Sequence, residues 1–404
     1  MIVSYFGKRA FSSILRSLDG RIDKGELTII LPDQSTHSVK GNAPGPLAEL
    51  HIHDYRFMRR ILRFGSVGFA EAFMEQDCSS PNMRAVLDFA VANTRWFDSG
   101  AASSQGFANF IMRRLHNQRD NSRDGSKKNI SYHYDLGNDF YALWLDSSMT
   151  YSSAIFSDGI NSLEAAQREK YDRLAKLVDL KPGARVLEIG CGWGGFAEHA
   201  ARNYGAMVTG LTISQEQLDF AKERMTKAGL TKQVDLRFCD YREHEVKNYD
   251  AVISIEMFEA VGERHWSTFF NQLNKFLKPG GNAGLQIITI EKDYYEDYRA
   301  SPDFIQKYIF PGGMLPTPEH LDGLASDVGF SRQASNGYGH DYARTLEAWL
   351  FNFQAHWKKI HEMGFDEKFK RMWEYYLHYC AAGFMDGRLD VKQIRFQKPR
   401  NLAG

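Results

Sequence analysis

The chain has 404 residues, with 50 Lys+Arg balanced by 50 Asp+Glu, 43% hydrophobic and 25% charged residues. That length and apolar content suit two or three domains, and 34 Gly with 11 Pro exclude a collagenous or low-complexity chain. Four cysteines without a CxxC pair exclude a disulfide-built scaffold, give no zinc-ligand spacing, and fit a reducing compartment.

The opening MIVSYFGKRAFSSILRSLDG carries charges before any long apolar run, and no later segment supplies the roughly 18 apolar residues of a span. The expectation is a cytoplasmic protein that can still touch the inner face of a membrane. Residues 1–112 read as an N-terminal module, with ELTIILPD as a strand and AEAFMEQD and NMRAVLDFAVANTRWF in helical periodicity. RRLHNQRDNSRDGSKKNIS is basic and nearly free of apolar residues, so 113–130 is expected to be a flexible linker. Residues 1–128 hold 18 Lys/Arg against 13 Asp/Glu, and residues 129–404 hold 32 against 37. The neutral total therefore conceals a split of +5 and −5. A solvated surface explains it, and so does a face that orients the protein on anionic lipid. No finger spacing, RNP-like strand or arginine-rich arm points to nucleic acid.

Beyond the linker, SLEAAQREKYDRLAKLVDL predicts a helix, and RVLEIGCGWGGFAEHAARNYG predicts strand, glycine turn and helix. AMVTGLTI, VDLRFCD, YDAVISIEMF and NAGLQIITI predict further strands, with SQEQLDFAKERMTKAG and HWSTFFNQLNKFLKPGG as helices between them. Alternation of this kind predicts an α/β fold with a doubly wound core. Residues 291–350 are aromatic and turn-rich and are expected to roof a ligand site; Phe304, Tyr308, Phe310, Tyr338 and Trp349 are candidates to line an acyl channel. WEYYLHYCAAGFMDGRLDVKQIRFQ predicts a helix and then a terminal strand that closes the sheet edge.

In VLEIGCGWGG, Gly190, Gly192, Gly194 and Gly195 follow a strand and precede a helix, with neither the GxGxxG nor the GxxxxGK[ST] spacing. Glu188 before the turn, TIS at 212–214 and FCD at 238–240 fall at successive strand tips, spaced to surround one pocket. Turn formation, helix capping by Thr212 or Ser214, and ordinary polarity of Gln217 and Asp240 are the structural alternatives.

With HYDLGNDFYALWLDSSMTYSSAIF, LEAAQREK, VLEIGCGWGGFAEHAA, GLTISQEQ, MFEAVG, YIFPGGMLP, DYARTLEAW and YYLHYCAAGF, the chain resembles class I S-adenosylmethionine-dependent methyltransferases. It resembles more closely the cyclopropane-fatty-acyl-phospholipid synthase and mycolic acid cyclopropane synthase family; GSVGFAEAFMEQDC resembles the N-terminal domain of the bacterial enzymes. The resemblance implies a Rossmann-like methyltransferase domain over 131–404 behind a smaller lipid-associating domain. It implies S-adenosylmethionine as cofactor, an unsaturated phospholipid acyl chain as substrate, an anionic membrane surface as transient partner, and a homodimer whose interface no residue identifies.

By the same resemblance, Tyr151, Ser152, Glu188, Gly190, Gly192, Thr212, Gln217, Asp240 and Ile255 form the cofactor-binding set. Tyr132, His133, Tyr134 and Asp135 support it. The family's bicarbonate is held by Cys, Glu, His, an Ile backbone group and Tyr; Glu259, Tyr342 and Ile288 match. Ser153 stands where the family has Cys and Gln286 where it has His. Both can still hydrogen-bond an anion, but Gln286 cannot titrate near neutrality, so a retained bicarbonate and a repurposed polar cavity both remain open. Glu256, three residues before Glu259, is a further acid that can face solvent, orient the anion, stabilise a carbocation or take a proton. Ring closure and a methyl-branched or methylene alkene are the alternative products. A noncatalytic lipid-binding protein is the alternative of another class.

Overall fold

A computed structural model describes residues 22–93, 136–301 and 303–400. The expected linker at 113–130 and the residues Tyr132 to Asp135 lie outside the described residues. The described residues divide into two compact units: those within 22–93, 300–309 and 357–386 form one, and those within 136–299, 310–356 and 387–400 form the other.

The first unit holds a four-stranded sheet of β1 (Lys24–Ile30), β2 (Thr36–Lys40), β3 (Ala43–Ile52) and β4 (Cys78–Ser79), in the order β2-β1-β3-β4. Asn93 closes the helix Met83–Ala92 onto β1: its carbonyl oxygen accepts from the Asp23 and Lys24 amides, and its NH2 donates to the Lys24 and Phe89 carbonyls. The helix Arg56–Met74 bends at Gly65, whose φ of +56° and ψ of −130° lie outside helical space. The helix Glu367–Met385 belongs to this unit, so the expected single domain over 131–404 is interrupted. Arg371 explains the attachment, because its guanidinium donates to the Phe73 carbonyl at 2.5 Å and the Cys78 carbonyl at 2.6 Å and lies 4.0 Å from the Phe73 ring centre. Phe304 packs edge-on against Tyr375 at 4.8 Å, and Tyr308 donates to Glu71. These two aromatics thus belong to the first unit's packing, apart from the unit holding Phe310, Tyr338 and Trp349.

The second unit is built on seven strands: β5 (Arg185–Ile189), β6 (Met207–Thr212), β7 (Val234–Phe238), β8 (Tyr249–Ile255), β9 (Leu277–Ile290), β10 (Ser331–Gly337) and β11 (Leu389–Gln397). Their order is β10-β11-β9-β8-β5-β6-β7, with β5 to β9 parallel and β11 antiparallel to both neighbours. The expected doubly wound α/β core is therefore present. Two corrections apply at its rim. The terminal strand β11 does not close the sheet edge; it inserts between β9 and the edge strand β10. The region 291–350 is no simple roof, since it contributes β10 to the sheet and residues 300–309 to the first unit.

Helices cover both faces because the parallel strands are apolar on both sides. Tyr171, Leu174, Phe196, Ala200, Leu218 and Met225 pack one face; Trp266, Phe269, Phe270, Leu273 and Leu321 pack the other. Phe269 and Phe270 are fully buried, each contributing roughly 1.5–3 kcal/mol relative to exposure. Chain order reverses between β5 and β8, which opens a crevice at the carboxyl ends of those two strands.

Candidate functional site

The glycine turn leaves β5 at that crevice. Gly190 has φ +79°, and a Cβ there would lie 2.8 Å from Met257 Cγ, so neither the conformation nor the contact admits a side chain. Gly192 has φ +51°, yet a Cβ there would meet no protein atom within 4 Å, which leaves open space above the turn. Below it, Glu188 is 3% exposed and accepts from the Ala197 amide, while its Oε2 is buried without a hydrogen-bond partner. Burial pushes its carboxyl up to about 8, against the opposing charges of Lys170 and Arg224.

At the tip of β6, the Thr212 hydroxyl donates to Gln217 Oε1 at 3.2 Å and accepts from the Ser214 amide. Ser214 caps the helix Gln215–Lys227 through the Gln217 amide. Asp240 at the tip of β7 is buried and binds Arg242 through both oxygens, at 2.9 and 2.6 Å, while also accepting from the Arg242 amide. Its carboxylate is therefore a cap and an ion-pair partner for the turn that follows. Ile255 ends β8 opposite Gln286 of β9.

Immediately after β8, Glu256 adopts φ +48°, left-handed backbone that favours glycine. Its Oε1 accepts from the Ser153 amide at 2.8 Å and from Gln286 Nε2 at 2.7 Å, and its Oε2 accepts from the Tyr342 hydroxyl at 2.7 Å. Three expected site residues thus converge on a fourth. Gln286 is oriented from behind by Gln393, whose Nε2 donates to Gln286 Oε1 at 3.0 Å and to the Lys170 carbonyl at 3.1 Å. Glu259 Oε1 accepts from the Ile288 amide at 2.5 Å; its Oε2 is buried without a hydrogen-bond partner. Burial and the neighbouring Glu256 charge push the Glu259 carboxyl up to about 8. Burial also raises Glu256, opposed first by Lys170 and then by its three donors.

Two serines differ from their expected contacts. The Ser152 hydroxyl accepts from Lys170 Nζ at 2.5 Å, pointing into the core where a cosubstrate contact was anticipated. The Ser153 hydroxyl donates to the Ala154 carbonyl at 3.0 Å, so its backbone amide is the anion donor. Lys170 itself is fully buried, and desolvation lowers its ammonium to about 7 against the attraction of Glu256, Asp146 and Glu188. Gln167 on the same helix, Leu163–Leu177, donates to the Ser152 carbonyl at 2.9 Å. Lys170, Gln167 and Gln393 escaped the sequence reading. For Gln167 and Lys170 the signal was polarity at core positions, since they share the buried face of one amphipathic helix with Ala166, Tyr171 and Leu174; Gln393 is likewise a buried polar residue, on β11.

Aromatic rings wall the same region. Tyr151 lies 5.6 Å from Tyr141, 5.4 Å from Trp144, 5.3 Å from Trp349 and 6.4 Å from Phe310, and Trp349 lies 6.1 Å from Tyr342. Such π faces attract a cation and exclude water. Carboxylates beside them supply hydrogen-bonded negative charge, so the site can hold a cationic group and accept a proton from it.

Three comparisons bear on this arrangement. The family model described as mycolic acid cyclopropane synthetase matches residues 121–394. The tuberculostearic acid methyltransferase of Mycobacterium tuberculosis is 38% identical over 354 residues, covering 83% of this chain and 79% of that protein. The cyclopropane-fatty-acyl-phospholipid synthase of Escherichia coli K12 is 35% identical over 369 residues, covering 89% and 90%. Among solved structures, the cyclopropane synthase MmaA2 from Mycobacterium tuberculosis aligns with a TM-score of 0.63 and 31% identity over 67% of this chain and 98% of that one. The mycolic acid cyclopropane synthase CmaA1, solved with S-adenosylhomocysteine and CTAB, also gives a TM-score of 0.63, at 29% identity over the same shares.

Proposed function

Because this chain belongs to the mycolic acid cyclopropane synthetase family, and is accordingly an S-adenosylmethionine-dependent enzyme, we propose that it transfers a carbon to the double bond of an unsaturated phospholipid acyl chain. The observation that carries this reading is one crevice combining the open glycine turn, an aromatic wall and the buried Glu256 carboxylate.

The turn fits S-adenosylmethionine: Gly192 leaves room for it, and the unpartnered Glu188 Oε2 suits a donor such as its amino group. When bound, S-adenosylmethionine supplies an electrophilic sulfonium methyl. Gly190 and Gly192 would line its amino-acid end, and Thr212 and Gln217, held together by their own hydrogen bond, would meet the ribose and carboxylate. Tyr151 and its ring neighbours would face the sulfonium, and Ile255 would line the floor. Asp240 would reach the adenine only through lone pairs left over from Arg242.

Bicarbonate does not fit as it does in the resembled family. The Ser153 amide, the Gln286 amide and the Tyr342 hydroxyl donate to Glu256, and the Ile288 amide donates to Glu259. No reaction step is therefore assigned to it.

Access to a bilayer acyl chain is assigned to the first unit. Among the described residues no helix is long and apolar enough to cross a membrane. The helix Arg56–Met74 exposes Arg59, Leu62 and Arg63 together, a mixed basic and apolar face suited to anionic headgroups.

The deciding experiment incubates purified protein with S-adenosylmethionine and unsaturated phospholipid vesicles, then resolves lipid mass and double-bond position. A gain of one CH2 that requires S-adenosylmethionine is expected. Loss of the alkene identifies a ring, and a retained alkene identifies a methyl-branched or methylene product. No gain in any unsaturated phospholipid overturns the reading.

A further inference from the structure

We infer that the Glu256 carboxylate is this enzyme's built-in proton acceptor, standing in the position an external bicarbonate would occupy. The inference rests on the proposed carbon transfer and adds the identity of its base.

The geometry is that of a bound anion whose tether is the chain itself. Oε1 is saturated by the Ser153 and Gln286 donors, while Oε2 takes the Tyr342 hydroxyl and keeps a second lone pair. Three donors from three separate segments fix the carboxylate, and Gln393 fixes the Gln286 amide so that its NH2, not its oxygen, faces the acid. The backbone carries the strain: φ +48° at a non-glycine residue persists only where the surroundings over-determine it. Burial raises the Glu256 carboxyl, and the buried Lys170 beside it is the largest influence opposing that rise, ahead of the three donors. Burial first and the neighbouring Glu256 charge second push the Glu259 carboxyl up to about 8, and only one of its oxygens has a donor, the Ile288 amide.

The step balances without an external base. The π pair of the alkene forms the new C–C bond to the sulfonium methyl, and the S–C bond breaks with its pair passing to sulfur. The positive charge moves to the acyl chain. A C–H bond next to the cationic centre, or on the transferred carbon, then loses its proton to Glu256 Oε2. The freed C–H pair closes the ring or makes a new double bond, leaving a neutral lipid and a neutral carboxylic acid. That acid returns its proton to water as the product leaves.

The test uses the full chain, wild type and as Glu256→Gly and Glu256→Gln, in CO2-free buffer with and without added bicarbonate or formate. Glycine suits the left-handed backbone, so Glu256→Gly is expected to fold. Wild-type turnover is expected to be unchanged on removing bicarbonate, and 13C-bicarbonate titrated by NMR is expected to show no saturable binding. Glu256→Gly is expected to lose about 100-fold in kcat, to bind bicarbonate saturably, and to recover about tenfold with bicarbonate or formate. Glu256→Gln, which fills the same space, is expected to lose as much and to recover nothing. Bicarbonate-dependent turnover or saturable bicarbonate binding by the wild type overturns the inference, as does full turnover by Glu256→Gly without an added anion. If the wild type modifies no lipid, the proposed function fails and the proton-acceptor role fails with it, while the titration still decides the position: binding only by Glu256→Gly supports Glu256 as the occupant of the anion site, and binding by the wild type overturns that too.

Discussion

Gln393 of the terminal strand donates to Gln286 of β9 at 3.0 Å, and the two residues sit directly opposite one another in the β9–β11 register. A hydrogen bond across the sheet thus sets which end of the Gln286 amide reaches the site.

Gln393→Leu is expected to destabilise the protein by about 1–3 kcal/mol, because Gln286 Oε1 is left buried without its donor. The Gln286 amide would then be held only through its NH2, which donates to Glu256 at 2.7 Å and to the Ser153 carbonyl at 3.3 Å, and its orientation would loosen. Turnover is expected to fall while binding of S-adenosylhomocysteine is retained; denaturant melts and calorimetric titration check the two halves separately.

Lys170→Met replaces the buried ammonium with an apolar side chain of similar length. Glu256 then loses its strongest favourable charge, and its carboxyl rises further. The acid limb of kcat/KM against pH is expected to move to higher pH, with a loss of about tenfold or more at neutrality. A merely structural lysine would lower the whole profile without displacing the limb.

Glu259→Gln tests the other acid through stability. Its folded carboxyl is raised to about 8 from an ordinary value of 4.5, so the folded state holds more protons between those limits and wild-type stability falls as pH rises through that window. Glutamine mimics the protonated acid. The variant is expected to melt close to the wild type at pH 5 and higher than the wild type at pH 9, and equal melting temperatures at pH 9 would contradict the assignment.

Two glycines separate packing from binding. A Cβ at Gly195 would lie 2.5 Å from the Tyr171 hydroxyl, so Gly195→Ala is expected to destabilise by about 1–3 kcal/mol. Gly192→Ala meets open space and incurs only backbone strain of about 1 kcal/mol, but its methyl intrudes where the cofactor is assigned. Its melting temperature is expected to stay near that of the wild type, with affinity for S-adenosylhomocysteine reduced about tenfold.

The parallel strands were legible because VLEI, VTGLT, AVISI and GLQIITI are apolar runs bounded by glycines and helical text. β10 was not, since SRQASNG is polar and largely exposed along an edge and shows no hydrophobic alternation. The helix Glu367–Met385 was legible as a helix, but no local pattern says which sheet its aromatic face will join; Arg371 and its two carbonyl partners decide that across nearly 300 residues. At the site, the sequence singled out Glu256 without identifying its partners. Those are separated from it by 103, 86 and 30 positions, and only the assembled sheet brings Ser153, Tyr342 and Gln286 to one carboxylate.

The insertion of β11 between β9 and β10 also has a consequence for biosynthesis. During translation β9 emerges with one flank unmated and must wait about a hundred residues for its antiparallel neighbour, some 5–20 s at ribosomal speeds. Throughout that interval the apolar GLQIITI segment is an open template for aggregation, and Gln286 has no tether. Nascent chains stalled before Leu389 are therefore expected to bind chaperones and to lack the ordered carboxylate site, which crosslinking of stalled ribosome complexes can detect.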